Sequence, residues 1–293
     1  MILLVSRHFR HPKARRSIGV ALAASLFAVP TARAISFGQI DTFQNGTTAG
    51  WQEGPSSPNP PTNVANGGPA GAGDHYLEDS SSGGFGGGSR MTMFNTSQWV
   101  GNYVSAGVNR VTMQMANFGS NTLNMRVAFR SGSGTLYGSS TAASLPPDGT
   151  WRSIDFDLTP SALTNIGGSD SVPQALASVT EFRIVSAVGG ATFTGDAVQG
   201  TIGIDNITAT SIPVPPPMIT ALMFVNDVAR ISFTTVAGKT YRVERKDSLL
   251  DAEWVALSNA ANITGTGGII QVSDPQPGVR NLARRFYRVV LLD

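Results

Sequence analysis

The chain has 293 residues with 33 Gly, 17 Pro, three His and no Cys. Lack of Cys excludes disulfides and thiol chemistry, and His75 is the one His after residue 34, so zinc binding and most acid–base catalysis at neutral pH are disfavoured. The formal charge of +2 comes from 21 Lys/Arg against 19 Asp/Glu, but six of the basic residues lie in the first 34, which leaves 15 against 19, net −4, a poor balance for holding nucleic-acid phosphates.

Residues 1–34 read as a signal peptide. Arg7, Arg10, Lys13, Arg15 and Arg16 precede an apolar run, Ile18 to Val29, that Pro30 ends. Ala32-Arg33-Ala34 has the small-x-small form of a cleavage site, which makes Ile35 the first mature residue. The expected location is therefore exported: extracellular, periplasmic or on the cell surface. An uncleaved anchor is the alternative, although the run is short for a bilayer span, and no later stretch is long enough for one.

From 35 to 211 apolar and polar residues alternate in short runs, the period of half-buried strands. Phe37–Phe43, Tyr76–Glu78, Arg90–Thr96, Arg110–Ala116, Leu123–Arg130, Trp151–Leu158, Glu181–Val185 and Thr201–Thr208 are the predicted strands. In Leu123–Arg130 the apolar Leu123, Met125, Val127 and Phe129 oppose Asn124, Arg126 and Arg130. In Trp151–Leu158 Ile154, Phe156 and Leu158 oppose Trp151, Asp155 and Asp157. Thr159-Pro160 resembles a helix start, so one helical turn is expected over Ser161–Ile166. Residues 54–89 are dominated by Gly, Pro, Ser and Asn and read as a long surface loop. Strand after strand without an amphipathic helix predicts an all-β chain, here a jelly-roll β-sandwich.

Pro213 and Pro215–Pro217 mark a Pro-rich linker at 212–218, because closely spaced prolines resist helix and central-strand pairing. Residues 219–293 again alternate, over Ala221–Asn226, Val228–Thr235, Thr240–Lys246, Trp254–Ser258, Gly268–Ser273 and Arg285–Leu291. They predict a small immunoglobulin/fibronectin-III-like β-sandwich, with a hairpin turn at Ala237-Gly238-Lys239 and Trp254 in its core.

Asp41-Thr42-Phe43, Gly50-Trp51, the stretch from Asn95 to Tyr103 and Gly203-Ile204-Asp205-Asn206-Ile207 resemble secreted bacterial jelly-roll domains of the galactose-binding-like and carbohydrate-binding-module-like kind. Ile231-Ser232-Phe233, Ala237 to Glu244, Trp254 and Arg285 to Val289 resemble a C-terminal accessory β-domain of the Verrucomicrobia–Planctomycetes type. The first resemblance implies a structural Ca²⁺, with Asp41 and Asp205 as ligands and Asp79 or loop carbonyls completing a shell of hard oxygens. The bland alternative leaves Asp41 solvated and Asp205 capping a turn.

Glycan sites combine an aromatic platform with planar hydrogen-bonding groups. Trp151 with Asp155 is one such set, and Arg126, Arg130 and Asn124 are expected on the same sheet surface. Trp99 and Tyr103 are another. Against each stands the core or a solvated face. For catalysis, Asp155 with Asp157 is a strand-spaced acid pair, against which stands a solvated face, and His75 with Tyr76 is a lyase-like pair, against which stands the surface loop. The expected function is a non-catalytic exported protein that recognises an extracellular glycan or cell-surface component. A structural or adhesive surface protein is the alternative, and a polysaccharide-degrading enzyme the third.

Overall fold

The computed structural model describes residues 34–84, 86–276 and 278–292. Apart from Ala34, the segment read as a signal peptide lies outside them. In chain order the first part holds β1 (Ile40–Asp41), β2 (Thr62–Val64), β3 (Tyr76–Ser82), β4 (Thr92–Asn95), β5 (Arg110–Asn117), β6 (Leu123–Ser131), β7 (Leu136–Ser139), β8 (Ala143–Leu145), β9 (Arg152–Asp157), β10 (Leu163–Gly167), helix α1 (Val172–Leu176), β11 (Val179–Ser186) and β12 (Gln199–Thr210). One sheet runs β2-β3-β12-β5-β9, with β1 against the end of β12. The other runs β10-β7-β6-β11-β4, with β8 beside β6. The chain is all-β, and these two antiparallel sheets form the jelly-roll sandwich.

The sandwich forms because period-2 alternation puts one apolar face of each sheet against the other. Val111, Met113 and Met115 of β5 and Ile202 and Ile204 of β12 meet Leu123, Met125, Val127 and Phe129 of β6 and Phe182 and Ile184 of β11 in a single buried cluster. Ile35 joins it, and its amide donates to Val100 O at 2.8 Å.

Two local expectations for this part differ from the structure. Residues 54–89 contain β2 and β3 rather than loop alone. Leu77, Asp79 and Ser81 are the inward residues of β3, so two of its three core positions are polar and hydrophobic periodicity does not reveal it. Ser161–Ile166 is not helical; it runs into β10, and the helix lies later, opened by Ser171 with Gln174 in a capping box and Pro173 in the first turn. The motif Thr159-Pro160 has the right residues without a following run that needs a helix.

The second part holds β13 (Ile219–Val225), β14 (Val228–Thr234), β15 (Thr240–Lys246), β16 (Val255–Ala256), β17 (Ile263–Thr264), β18 (Ile269–Ser273) and β19 (Phe286–Leu291). β13-β14-β18 form one sheet, and β15 pairs with β16, β17 and β19 in another. Ile231, Phe233, Tyr241, Val243 and Leu257 make its own core. Ala237-Gly238-Lys239 is not a hairpin turn, since β14 and β15 lie in different sheets. The tight hairpin is β13–β14, whose two-residue turn Asn226-Asp227 has positive φ at both positions, 50° and 61°. Trp254 is part-buried, flanked by Arg288 at 4.5 Å and Lys246 at 5.3 Å, and lies outside the core expected for it. Residues 212–218 carry no strand or helix, and Ile212 N–H donates to Asn109 Oδ1 at 2.7 Å. Among the described residues no helix is long and apolar enough to cross a membrane.

Candidate functional site

The outer face of the β2-β3-β12-β5-β9 sheet carries an aromatic cluster. Register aligns Glu78, Gly203 and Ala116 in one row across β3, β12 and β5, and Tyr76, Asp205, Gln114 and Ser153 in the region beside it. Small residues at Gly203 and Ala116 leave room for large rings. Trp151 packs edge-on to Tyr76 at 5.3 Å and to Phe118 at 5.8 Å, and Tyr76 lies 5.7 Å from Phe118. The rings sit directly on the backbone: a Cβ at Gly203 would come within 2.6 Å of Phe118 Cε2 and 2.8 Å of Trp151 Cη2. Trp151 is part-buried with its indole N–H donated to Gly67 O at 3.1 Å, while Phe118 is 38 % exposed.

Polar groups gather beside the rings because β12 is bulged. The register with β5 shifts between Asp205 and Thr208, and Asn206 takes the left-handed conformation at φ 53°. Asp205 and Asn206 thereby both reach the outer side. Asn206 Nδ2 donates to Gln114 Oε1 at 2.7 Å and to Asp205 Oδ2 at 3.0 Å, and the Asn206 amide donates to Asp205 Oδ1 at 2.7 Å. Asp74 accepts from Gln44 Nε2 at 2.6 Å and from the Ala70 amide at 2.7 Å. Thr42, Gln44, Asp74, Gln114 and Asn206 line an open depression of about 510 Å³. Burial raises the Asp205 carboxyl to about 7, with the Asp74 carboxylate adding to the rise and the Asn206 amide opposing it. Burial, and then Glu78, push the Tyr76 phenol up to about 12. The face thus offers ring surface, amide donors and acceptors and the Asp74 carboxylate, with the Asp205 carboxyl buried behind them.

The residues predicted to bind ligand divide among three places. Trp151 and Asp155 are on this first sheet. Asp155 and Asp157 both pair with Arg110, at 3.0 and 2.6 Å, so both members of the acid pair are tied to one guanidinium. Asn124, Arg126 and Arg130 lie on the outer side of the opposite sheet and not beside Trp151, because β6 belongs to that sheet. Arg126 is buried and donates to Ala187 O, Ser139 O and Ser140 O at 3.0, 2.7 and 2.8 Å, which makes it a strut between strands. Arg130 faces Glu181 at 3.4 Å and covers the Phe193 ring at 4.8 Å. Trp99 and Tyr103 are core residues with no exposed surface: Trp99 contacts Trp51 and Phe182, and Tyr103 stacks on Phe182. The Asn95 carboxamide accepts from the Ser97 amide at 2.8 Å and turns that segment inward, a feature that strand alternation does not report.

The metal expectation is also corrected. Asp41 and Asp205 stand on opposite faces of their sheet. Asp41 points inward and accepts the indole N–H of Trp51 at 2.8 Å and of Trp99 at 2.7 Å. Asp205 points outward. They cannot share an ion, and the Asp41 oxygens already have donors. Asp79 also points inward, but without such donors. Among the described residues no three His, Cys, Asp or Glu side chains gather as a metal-binding group. His75 Nδ1 lies 2.9 Å from Asn63 Oδ1, and the Tyr76 hydroxyl donates to Glu78 at 3.2 Å.

Phe118, Gln114, Asn206 and Asp74 were not singled out by sequence reasoning. Gln114 is legible in retrospect, since it has outward parity between Met113 and Met115. Phe118 follows β5 in a turn, Asp74 lies in a loop, and the aim of Asn206 depends on the bulge, so none of these has a period to read.

No protein-family model matches the chain, and no curated protein matches it. Among solved structures it is similar to an exo-beta-agarase, with 12% identity and a TM-score of 0.45 over 61% of this chain and 25% of that one. It is similar also to a family 11 carbohydrate-binding module from Clostridium thermocellum in complex with a beta-1,3-1,4-mixed-linked tetrasaccharide, at 14% identity and a TM-score of 0.39 over 60% of this chain and 96% of that one. A third is a carbohydrate-binding module specific for non-crystalline cellulose, at 12% identity and a TM-score of 0.36 over 61% of this chain and 98% of that one. The chain spans about a quarter of the length of the agarase.

Proposed function

We propose that this is an exported, non-catalytic glycan-binding protein whose ligand lies on the outer face of the β2-β3-β12-β5-β9 sheet. The observation that carries the proposal is the Trp151–Tyr76–Phe118 cluster standing beside Gln114, Asn206 and Asp74 at the edge of an open depression. Sugar rings present an apolar face and a hydroxyl rim, and this face pairs ring surface with amide and carboxyl groups in the same way. Both carboxylates of the β9 acid pair are ion-paired to Arg110, an arrangement that favours a binding role over hydrolysis.

The test is affinity electrophoresis of the mature protein through gels that contain plant and algal polysaccharides. Wild type is expected to be retarded by at least one. Trp151→Ala and Phe118→Ala should reduce the retardation while unfolding cooperatively. Trp151→Ala should lower stability by about 2 kcal/mol, from two ring contacts of about 0.5–1.5 kcal/mol each, rather than by the roughly 3–5 kcal/mol of a core Trp. One observation favours a structural or adhesive protein instead: β13 leaves Leu222 and Phe224 on one face and Met223 on the other between 46 and 49 % exposed, and exposed apolar side chains on a strand suit an interaction surface. Absence of retardation by every polysaccharide would move the assignment to that reading.

A further inference from the structure

A surface independent of the aromatic face lies on strand β13 of the second part, Ile219–Val225. β13 is the end strand of its sheet and, among the described residues, pairs with β14 alone. Across that pairing Leu222 opposes Ile231 and Phe224 opposes Ala229, so both side chains point to the core side of the sheet. Ile231 and Ala229 are fully buried there, yet Leu222 and Phe224 stay 49 and 46 % exposed and do not join the core cluster. The apolar face of this sheet thus extends one strand beyond what the core covers. Met223, on the opposite face, is exposed as well.

The backbone of β13 is open along the same edge. The two-residue turn Asn226-Asp227 makes Val225 and Val228 the first hydrogen-bonded pair of the hairpin, and alternation makes Met223 and Arg230 the next. The N–H and C=O groups of Leu222 and Phe224 therefore point away from β14. An unpaired edge is a template for another strand, and proteins guard such edges with short strands, charges, prolines or bulges. The end strands of the first sandwich are guarded in this way: β2 and β4 have three and four residues, β9 carries Arg152, Asp155 and Asp157, and β10 has a register shift. β13 has seven residues with no charge, Gly or Pro, and its one register shift lies at its start, between Ile219 and Ala221.

We propose that β13 pairs antiparallel with β13 of a second copy of this chain, about a two-fold axis at Met223. That register sets Leu222 opposite the second copy's Phe224 and Phe224 opposite its Leu222. The open N–H and C=O groups of both residues then find partners, and their side chains form one apolar row on the core side of a joined sheet. An axis at Leu222 would instead set Phe224 against Thr220 and break the row. A second copy suits this edge because a two-fold contact repeats every match, and an uncharged strand brings no like charges together. Half-exposed side chains of this size leave roughly 100 Å² each, so three from each copy, with the backbone edge between them, keep the contact below about 1,200 Å². Contacts of that size are reversible, so the pair should separate on dilution. The pairing stands whether or not the first sandwich binds glycan.

The experiment uses the full mature protein. Light scattering after size exclusion, loaded from micromolar to millimolar, should show the mass rise from one chain to two and fall back on dilution. The chain has no Cys, so Met223→Cys supplies its sole thiol. Opposed residues of a non-hydrogen-bonded antiparallel pair have Cα atoms about 4.5 Å apart, within disulfide reach, so Met223→Cys should cross-link two copies on mild oxidation. Val225→Cys, which faces the second copy's Ala221 in this register, should not. Leu222→Pro removes an N–H that β14 does not use, so it should fold and remain a single chain at every concentration. Where that variant fails to fold, hydrogen exchange of wild type decides: the Leu222 and Phe224 amides should be more protected in concentrated than in dilute protein. Single-chain mass throughout, equal protection of those amides, or a dimer that Met223→Cys does not cross-link would each overturn the proposal, and the first would leave the edge to a strand of another protein.

Discussion

Asp41 offers the sharpest test of how the first sandwich is held together. Its carboxylate joins the opening strand to two separate parts of the core by accepting the indole N–H groups of Trp51 and Trp99, whose rings are 1 and 0 % exposed. Gln98 Nε2 donates to it as well, at 3.2 Å. Burial raises the Asp41 carboxyl, and the three donors offset part of that rise. Asp41→Ala would strand two indole donors where no water reaches. A buried donor left without a partner costs about 1–3 kcal/mol, so the pair costs about 2–6 kcal/mol. Removing the carboxyl also recovers its own burial penalty, which brings the expected net loss to about 3 kcal/mol. Asp41→Asn keeps an acceptor oxygen in place and should lose about 1 kcal/mol. Urea unfolding followed by tryptophan fluorescence measures both, with an unchanged m-value as the sign that the comparison is of stability alone. A loss below about 0.5 kcal/mol for Asp41→Ala would refute the view that this carboxylate organises the core.

Two further outcomes follow from the aromatic face. Asp205 binds its proton more tightly when folded, near 7, than an ordinary Asp does unfolded, near 3.8; stability linked to it is full below about pH 4 and is lost as pH rises toward 7, and Asp205→Asn should flatten that slope in thermal melts between pH 4 and 8. A slope unchanged by Asp205→Asn would show that the group does not titrate there. Gly203→Ala should displace the rings, since its Cβ would press on Phe118, Trp151 and Tyr76 at 2.6, 2.8 and 3.1 Å; the expected result is loss of polysaccharide retardation with a stability cost of about 1–3 kcal/mol, and full retention of binding would show that these rings do not form the ligand surface.

What was legible in the sequence was periodic. β5, β6, β9 and β11 each place an apolar residue at every second position over several residues, so strand type and facing follow from side-chain geometry alone. Trp151 opposes Ile154 and Phe156 for the same reason. What was not legible depended on tertiary pairing. β3 buries Asp79 and Ser81, which read as solvent-facing, and β7, β8 and β10 are too short for a pattern. Trp99 and Tyr103 lie in a turn without alternation, so nothing local distinguished a core anchor from a platform. The Asp41–Trp51–Trp99 contact joins residues up to 58 positions apart, and only the folded chain brings them together. Arg126 carries the outward parity of its strand and is nonetheless buried, because residues 139–140 and 187 fold over it.

The two outer faces of the first sandwich explain why only one of them suits a polar ligand. On the β10-β7-β6-β11-β4 sheet the charged groups satisfy one another: Arg183 pairs with Glu181 at 2.6 Å and lies over Phe193 at 3.9 Å, and Arg130 covers the other part of the same ring at 4.8 Å. A ligand there would have to break ion pairs and cation–π contacts already made, and exposed replacements return little. On the β2-β3-β12-β5-β9 sheet the amide of Gln114 accepts from Asn206 and, among the described residues, has no protein partner for its own N–H₂ group. Ser153 is exposed beside it in register, and the depression next to it is open. Hydrogen-bonding capacity held in place by a rigid sheet, next to ring surface that water covers poorly, is what a sugar hydroxyl edge and its apolar face require together. The bulge at Asn206 is what aims the polar half of that surface, and the small side of Gly203 is what seats the aromatic half; both lie within three residues of one another on β12.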